Sequence, residues 1–205
     1  MTLRFDRMVA GREDRATHFT TSTGGVLVVA DGAGGTGDGA HAAEAVIAAV
    51  AANLDLYGAD AWAALLALVD ATLRNGETTA VVVSITGDEI HGASVGDSGA
   101  WLIGAHGYDE LTQGQRRKPL IGSGRATPVP FTSRLGPATL LLASDGLLNY
   151  APAPRITALA TMRELTGLAH QLCDLVRLRS GTLPDDVAIL LARAGPSDRK
   201  DESLS

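Results

Sequence analysis

Short apolar runs and longer apolar stripes alternate along the chain. Val26–Ala30, Thr139–Ala143 and Val187–Ala192 are apolar almost without a break, which predicts short strands buried on both faces. Residues 2–9 and Thr17–Ser22 read as weaker strands on either side of a charged turn at Gly11–Arg15. Thr78–Thr86 and Glu89–Ser94 flank a Gly87-Asp88 turn and predict a hairpin. Ala100–Gly104 and Tyr108–Thr112 follow as two more strands around His106-Gly107. Helical spacing takes over elsewhere. From Ala40 to Leu56 the chain is apolar almost all round, at Ala42, Ala43, Val46, Ile47, Ala49 and Val50, so that helix should be covered on more than one side. Ala61–Arg74 predicts a second helix, capped by Asp60 and stopped at Gly76. The stripe Leu165, Leu168, Leu172, Leu175, Val176 predicts a third over Arg163–Arg179. Residues 113–138 are rich in Gly, Pro and basic side chains and read as a loop or flap, and Pro152 and Pro154 break the chain after Asn149. Helices in pairs and strands in hairpins suggest a layered antiparallel α+β fold.

The composition narrows the class. The chain has 205 residues, 45% of them apolar, enough for one domain over 1–194 followed by a polar tail, 195–205, with the composition of a disordered segment. A net charge of −6 argues against nucleic acid or an anionic membrane as partner. The single cysteine, Cys173, lies in an apolar stripe and reads as a packed thiol, not a nucleophile. No apolar run approaches the ~18 residues of a membrane span, and the N-terminus lacks a signal-like apolar core. The expected location is cytoplasmic.

The chemistry is concentrated in acidic motifs at the ends of the apolar runs. They are Val29-Ala30-Asp31-Gly32-Ala33-Gly34-Gly35, Val95-Gly96-Asp97-Ser98, Leu142-Ala143-Ser144-Asp145-Gly146 and Pro184-Asp185-Asp186-Val187. Each alone is an ordinary turn, since Asp-Gly favours turns. Together they place carboxylates where a rigid scaffold can aim them at one point, and converging carboxylates call for cations. A carboxylate beside the Gly32 carbonyl is a hard-oxygen pair suited to Mg²⁺ or Mn²⁺. The five histidines and one cysteine show no zinc-like spacing. The glycine-rich run also leads into a helix N-terminus and could cradle phosphate, although it lacks the Gly-Lys-Ser/Thr ending of a P-loop.

In order and spacing over about residues 11–192, this set resembles the type-2C, metal-dependent Ser/Thr protein phosphatases (the PPM family), in their small bacterial form. The resemblance implies a central β-sandwich of two antiparallel sheets flanked by pairs of helices. It implies hydrolysis of phosphoprotein esters by a metal-activated water, with Asp31, Asp145 and Asp185 at the catalytic centre. Asp31 would bridge two ions with the Gly32 carbonyl on one of them, and Asp145 and Asp185 would complete the first ion's shell. Asp14 would hold the waters of the second ion, with Glu13 as a weaker candidate, and Asp97 would serve a third, looser ion. The cofactors implied are Mn²⁺ or Mg²⁺, two or three ions. The implied partner is a phosphorylated protein, with a Ser/Thr kinase acting in opposition, and the chain is expected to be a monomer.

The chain departs from that pattern in several places. Arg12 directly precedes Glu13-Asp14 and is the candidate phosphate ligand; Arg7 and Arg15 lie nearby, and all three also read as a solvated charge cluster. Gly99 stands where an Arg often follows Gly-Asp-Ser, and Thr36 where many bacterial members have His. His41 reads as a helix-surface residue, not an acid catalyst. The usual Thr-x-Asp-His-Ser segment is replaced by Thr112–Gly124, whose bases could meet an acidic substrate or simply solvate a loop. These changes motivate a second reading, a weak or inactive phosphatase-like module that binds a phosphorylated signalling partner. A nucleotide-binding protein is a third, disfavoured by the missing Walker lysine and dinucleotide fingerprint.

Overall fold

The computed structural model describes residues 2–34 and 38–195. Thr36 and the tail beyond Gly195 lie outside the described residues. The chain runs β1 (Leu3–Ala10), β2 (Arg15–Thr20), β3 (Gly24–Ala30), α1 (Gly39–Ala51), α2 (Ala59–Thr72), β4 (Ala80–Thr86), β5 (Glu89–Val95), β6 (Gly99–Gly104) and β7 (Gly107–Glu110). It continues through β8 (Val129–Arg134), β9 (Thr139–Ala143), α3 (Asp145–Leu148), α4 (Ala153–Ala160), α5 (Leu168–Asp174) and β10 (Val187–Ala194).

Side-chain alternation sorts the strands into layers. On β3, Leu27 and Val29 face one way and Val26, Val28 and Ala30 the other, and all are buried. On β10, Ala188, Leu190 and Ala192 join Leu27 and Val29 in a central core, while Val187, Ile189 and Leu191 turn outward. Strands buried on both faces must lie between two further layers. One antiparallel sheet has the order β1-β10-β9-β6-β7, the other β2-β3-β4-β5-β8. The two pack face to face through the central core. α1 and α2 cover the second sheet through Val46, Val50, Trp62 and Leu66, and α4 and α5 cover the first through Ile156, Ala160, Leu168 and Leu172. The four-layer sandwich flanked by helix pairs is the architecture the resemblance implied.

Three local expectations need correction. The segment 113–138 is not loop throughout: it contains β8, an edge strand paired with β5. Pro130 hides it, because proline disqualifies a central strand but not an edge. Phe131 packs over Gly92, where a Cβ would collide with its ring. Pro152 and Pro154 do not merely break the chain; Pro152 is the N-cap of α4 and Pro154 lies in its first turn, where a missing N–H costs nothing. The helix expected over Arg163–Arg179 shrinks to Leu168–Asp174, because Gly167 enters it at φ 82° and turns follow it. Leu165 and Val176 of its stripe are still buried in the same core. A smaller difference concerns Asp60, which lies inside the first turn of α2 with Gly58 as the cap.

Candidate metal centre

The acidic motifs meet at one end of the sandwich. Asp14 immediately precedes β2, Asp31 follows β3, Asp97 lies between β5 and β6, Asp145 follows β9, and Asp185 leads into β10. Antiparallel pairing brings these strand ends together: Arg15 pairs with Ala30, Gly99 with Ala143 and Ala10 with Val187. A cleft of about 770 Å³ opens there, lined by Arg12, Glu13, Asp31, Gly32, Asp97, Asp145 and Asp185 among others. Asp14 lies beneath, 1% exposed.

The serines and threonines of the motifs are fasteners. Asp31 donates its N–H to Thr79 Oγ1 at 3.0 Å, and its carbonyl accepts from Thr79 N at 2.9 Å and Thr78 Oγ1 at 2.8 Å. Thr79 Oγ1 shares a 2.6 Å hydrogen bond with Ser98 Oγ, so the Gly-Asp-Ser turn is tied to Asp31. Ser144 Oγ accepts from Ala188 N at 2.8 Å and locks the Ser-Asp-Gly turn to β10. Asp186 accepts from Arg12 N at 2.6 Å and Glu13 N at 2.7 Å, fixing the turn that carries Asp14. That clasp requires Gly11, at φ 118°, since a Cβ there would overlap the Asp186 carboxylate. Asn149 Nδ2 donates to Asp145 Oδ2 at 3.0 Å.

Burial and mutual repulsion dominate the electrostatics. Burial pushes the Asp31 carboxyl up to about 9, with the charges of Asp14, Asp145 and Asp97 adding to it. Burial pushes Asp14 up to about 7; Asp186 and Asp145 raise it further, while Ser144 and Asp31 act in the opposite direction. Asp145 is raised by burial, then by Asp97 and Asp185. Among the described residues, both Asp14 oxygens are buried without a hydrogen-bond partner. Ser144 and Asp31 stand near enough to bias its charge but not in a geometry that satisfies it.

This donor set fits divalent ions of the hard kind. Oxygen ligands predominate, and among the described residues no histidine or cysteine lines the cleft. The donors share the walls of an open cleft; among the described residues no three His, Cys, Asp or Glu side chains form a finished cage. Of the three arginines near the acidic pair, only Arg12 lines the cleft. Arg7 Nη1 donates to Ala16 O at 3.0 Å, and Arg15 is engaged with Glu44 and the carbonyls of Arg12 and Asp14. His41 is exposed on α1, as expected. Leu148 fills the space that a side chain at Gly99 would need.

Two contributors escaped sequence reasoning, the clasp of Asp186 on Arg12 and Glu13 and the support of Asn149; of the bases in Thr112–Gly124, expected to meet an acidic substrate or to solvate a loop, Arg117 and Lys118 line the cleft. Only Asn149 carried a local signal, standing four residues after Asp145 across a helical turn.

No protein-family model matches the chain, and no curated protein matches it. Solved structures do. A serine/threonine phosphatase of S. agalactiae superposes with TM-score 0.81 at 20% identity, covering 94% of this chain and 100% of that one. The catalytic domain of the serine/threonine protein phosphatase PstP, crystallised with two manganese ions, superposes with TM-score 0.74 at 24% identity over 93% of this chain and 97% of that one. PppA, a regulatory component of the type VI secretion system in Pseudomonas aeruginosa, superposes with TM-score 0.78 at 16% identity over 95% and 99%. The chain has the fold of the bacterial serine/threonine phosphatases.

Proposed function

We propose that the protein is a metal-dependent phosphatase that removes phosphate from phosphoserine or phosphothreonine in a protein substrate, opposing a Ser/Thr kinase. The observation that carries this reading is the convergence of Asp31, Asp145 and Asp185 on one cleft, with Asp14 buried next to Asp31 and its oxygens unsatisfied among the described residues. Buried carboxylates left in that state are costly unless a cation or a proton compensates them.

Asp31, the Gly32 carbonyl, Asp145 and Asp185 would hold the ions, and Asp14 would support their waters. Bound Mn²⁺ or Mg²⁺ would supply a water nucleophile of lowered pKa and would offset charge on the phosphoryl group. The protein's own part is positioning. Thr79 and Ser98 fix Asp31, Asn149 orients Asp145, and Asp186 fixes the turn that bears Asp14 and Arg12. Arg12 is exposed at the cleft, where its guanidinium can pair with phosphoryl oxygens. No serine or cysteine nucleophile is required. Among the described residues no helix is long and apolar enough to cross a membrane.

The test is hydrolysis of p-nitrophenyl phosphate and of a phosphoserine peptide with Mn²⁺, Mg²⁺ or EDTA, alongside Asp31→Asn and Asp145→Asn. Turnover that requires the ion and collapses by about a thousandfold in both variants is expected. Mn²⁺ uptake without hydrolysis of either substrate would replace this reading with a phosphate-recognising module.

A further inference from the structure

Arg117 lies in the segment between β7 and β8, and the chemistry above does not use it. Its Nε donates to Asp97 Oδ2 at 2.8 Å, and its Nη2 stands 2.7 Å from the same oxygen. It shares the cleft with Asp31, Asp145 and Asp185. The Arg117 side chain is 74% exposed and that of Asp97 24%, so the pair adds little to stability. Its consequence is positional: a cation is held over a group of carboxylates.

The segment is anchored on both sides of this arginine. Gln115 Oε1 accepts from the buried Ser94 Oγ at 2.7 Å. Leu120 and Ile121 are buried, and Ile121 exchanges two 3.0 Å backbone hydrogen bonds with Thr78. Thr78 also bonds the Asp31 carbonyl, so Arg117 is in register with the centre of the acidic cluster. A guanidinium has five N–H donors, and the pairing with Asp97 engages only Nε and Nη2. The Nη1 donors remain for a second anion, and planar forks of this kind suit phosphate.

We propose that Arg117, held by Asp97, binds the phosphoryl group of the substrate and takes the place of a third divalent ion at Asp97. Asp97 is then a positioning residue, not a metal ligand. This rests on the phosphatase reading above and deepens it: the cleft takes two ions and reads the phosphoryl group with Arg12 and Arg117.

The experiment is calorimetric titration of the whole protein with Mn²⁺, then of the Mn²⁺-loaded protein with inorganic phosphate, for the parent, Arg117→Ala and Asp97→Asn. Steady-state hydrolysis is followed in parallel. The parent is expected to take up two ions. Arg117→Ala should weaken phosphate binding and raise KM by about tenfold, with kcat changed far less, and should admit a weak third ion at the freed Asp97. Asp97→Asn should keep two ions yet weaken phosphate binding in the same direction. A parent that binds three ions and loses one in Asp97→Asn overturns the inference, as does parent-like phosphate affinity in Arg117→Ala. If either appears while the parent still hydrolyses phosphoesters with Mn²⁺, this inference alone fails. A parent that neither binds Mn²⁺ nor hydrolyses either substrate overturns the phosphatase reading first and this inference with it.

Discussion

Asp14 and Asp70 are both buried carboxylates, at 1% and 6% exposure, and their surroundings are opposite. Asp70, on α2, accepts from Gly122 N at 2.8 Å and Gly124 N at 2.9 Å on Oδ1, and from Ala126 N at 2.9 Å on Oδ2. Three amides compensate its charge and clasp the 122–126 segment to the helix. Asp14, beneath the cleft, has neither oxygen satisfied among the described residues. Burial alone therefore does not mark a functional acid. The distinction lies in whether the protein itself completes the carboxylate's hydrogen bonds or leaves them to a ligand.

The same substitution should act in opposite directions at the two sites. Asp70→Asn sets an amide N–H₂ against backbone donors and removes charge-assisted bonds. A loss of about 3 kcal/mol in unfolding free energy is expected, with Mn²⁺ affinity of the folded protein within about threefold of the parent. Denaturant unfolding and Mn²⁺ titration check this, and a large loss of metal affinity would show that the two regions are not separable. Asp14→Asn should weaken Mn²⁺ binding by about thirtyfold, yet raise the melting temperature of metal-free protein at about pH 9, where it removes an uncompensated charge. A lower melting temperature there would mean that Asp14 is compensated after all.

The third expectation concerns pH. Folded-state pKa values pushed up to about 9 at Asp31 and about 7 at Asp14 mean that the folded protein holds protons the unfolded chain has released. Metal-free protein should therefore gain stability as pH falls from about 9 to about 7, with a slope that steepens to about 2 kcal/mol per pH unit near pH 7. Saturating Mn²⁺ should flatten this slope by favouring the ionised forms. Melting curves in EDTA and in Mn²⁺ across that range decide it; a metal-free protein that loses stability on acidification would contradict the electrostatics described here.

Much of the sandwich was legible because alternation along β3, β9 and β10 and the Gly-Asp turns are local signals. Asp31, Asp97, Asp145 and Asp185 could be singled out for the same reason, each standing at the edge of an apolar run, whereas Asp14 lies in a charged turn and was reached only through the family resemblance. What escaped depended on partners distant in sequence. Asp70 looks like any helix-surface acid until residues 52 to 56 positions onward fold over it. Arg117 reads as one base among three until Asp97, 20 residues earlier, pairs with it. β8 escaped because pairing with β5 outweighs the poor strand character of Pro130.

The pairing of β1 with β10, reinforced by the Asp186 clasp on Arg12 and Glu13 across 174 and 173 residues, sets the order of assembly during synthesis. Asp14 leaves the ribosome early, but the turn that aims it is fixed only when residues 185–194 arrive. A nascent chain can stack most of the second sheet against α1 and α2 while its ion-binding end is still incomplete. The turn bearing Asp14 thus waits for residues 185–194, and a chain truncated before Asp185 would lack both the acidic lead-in to β10 and the fastener for that turn.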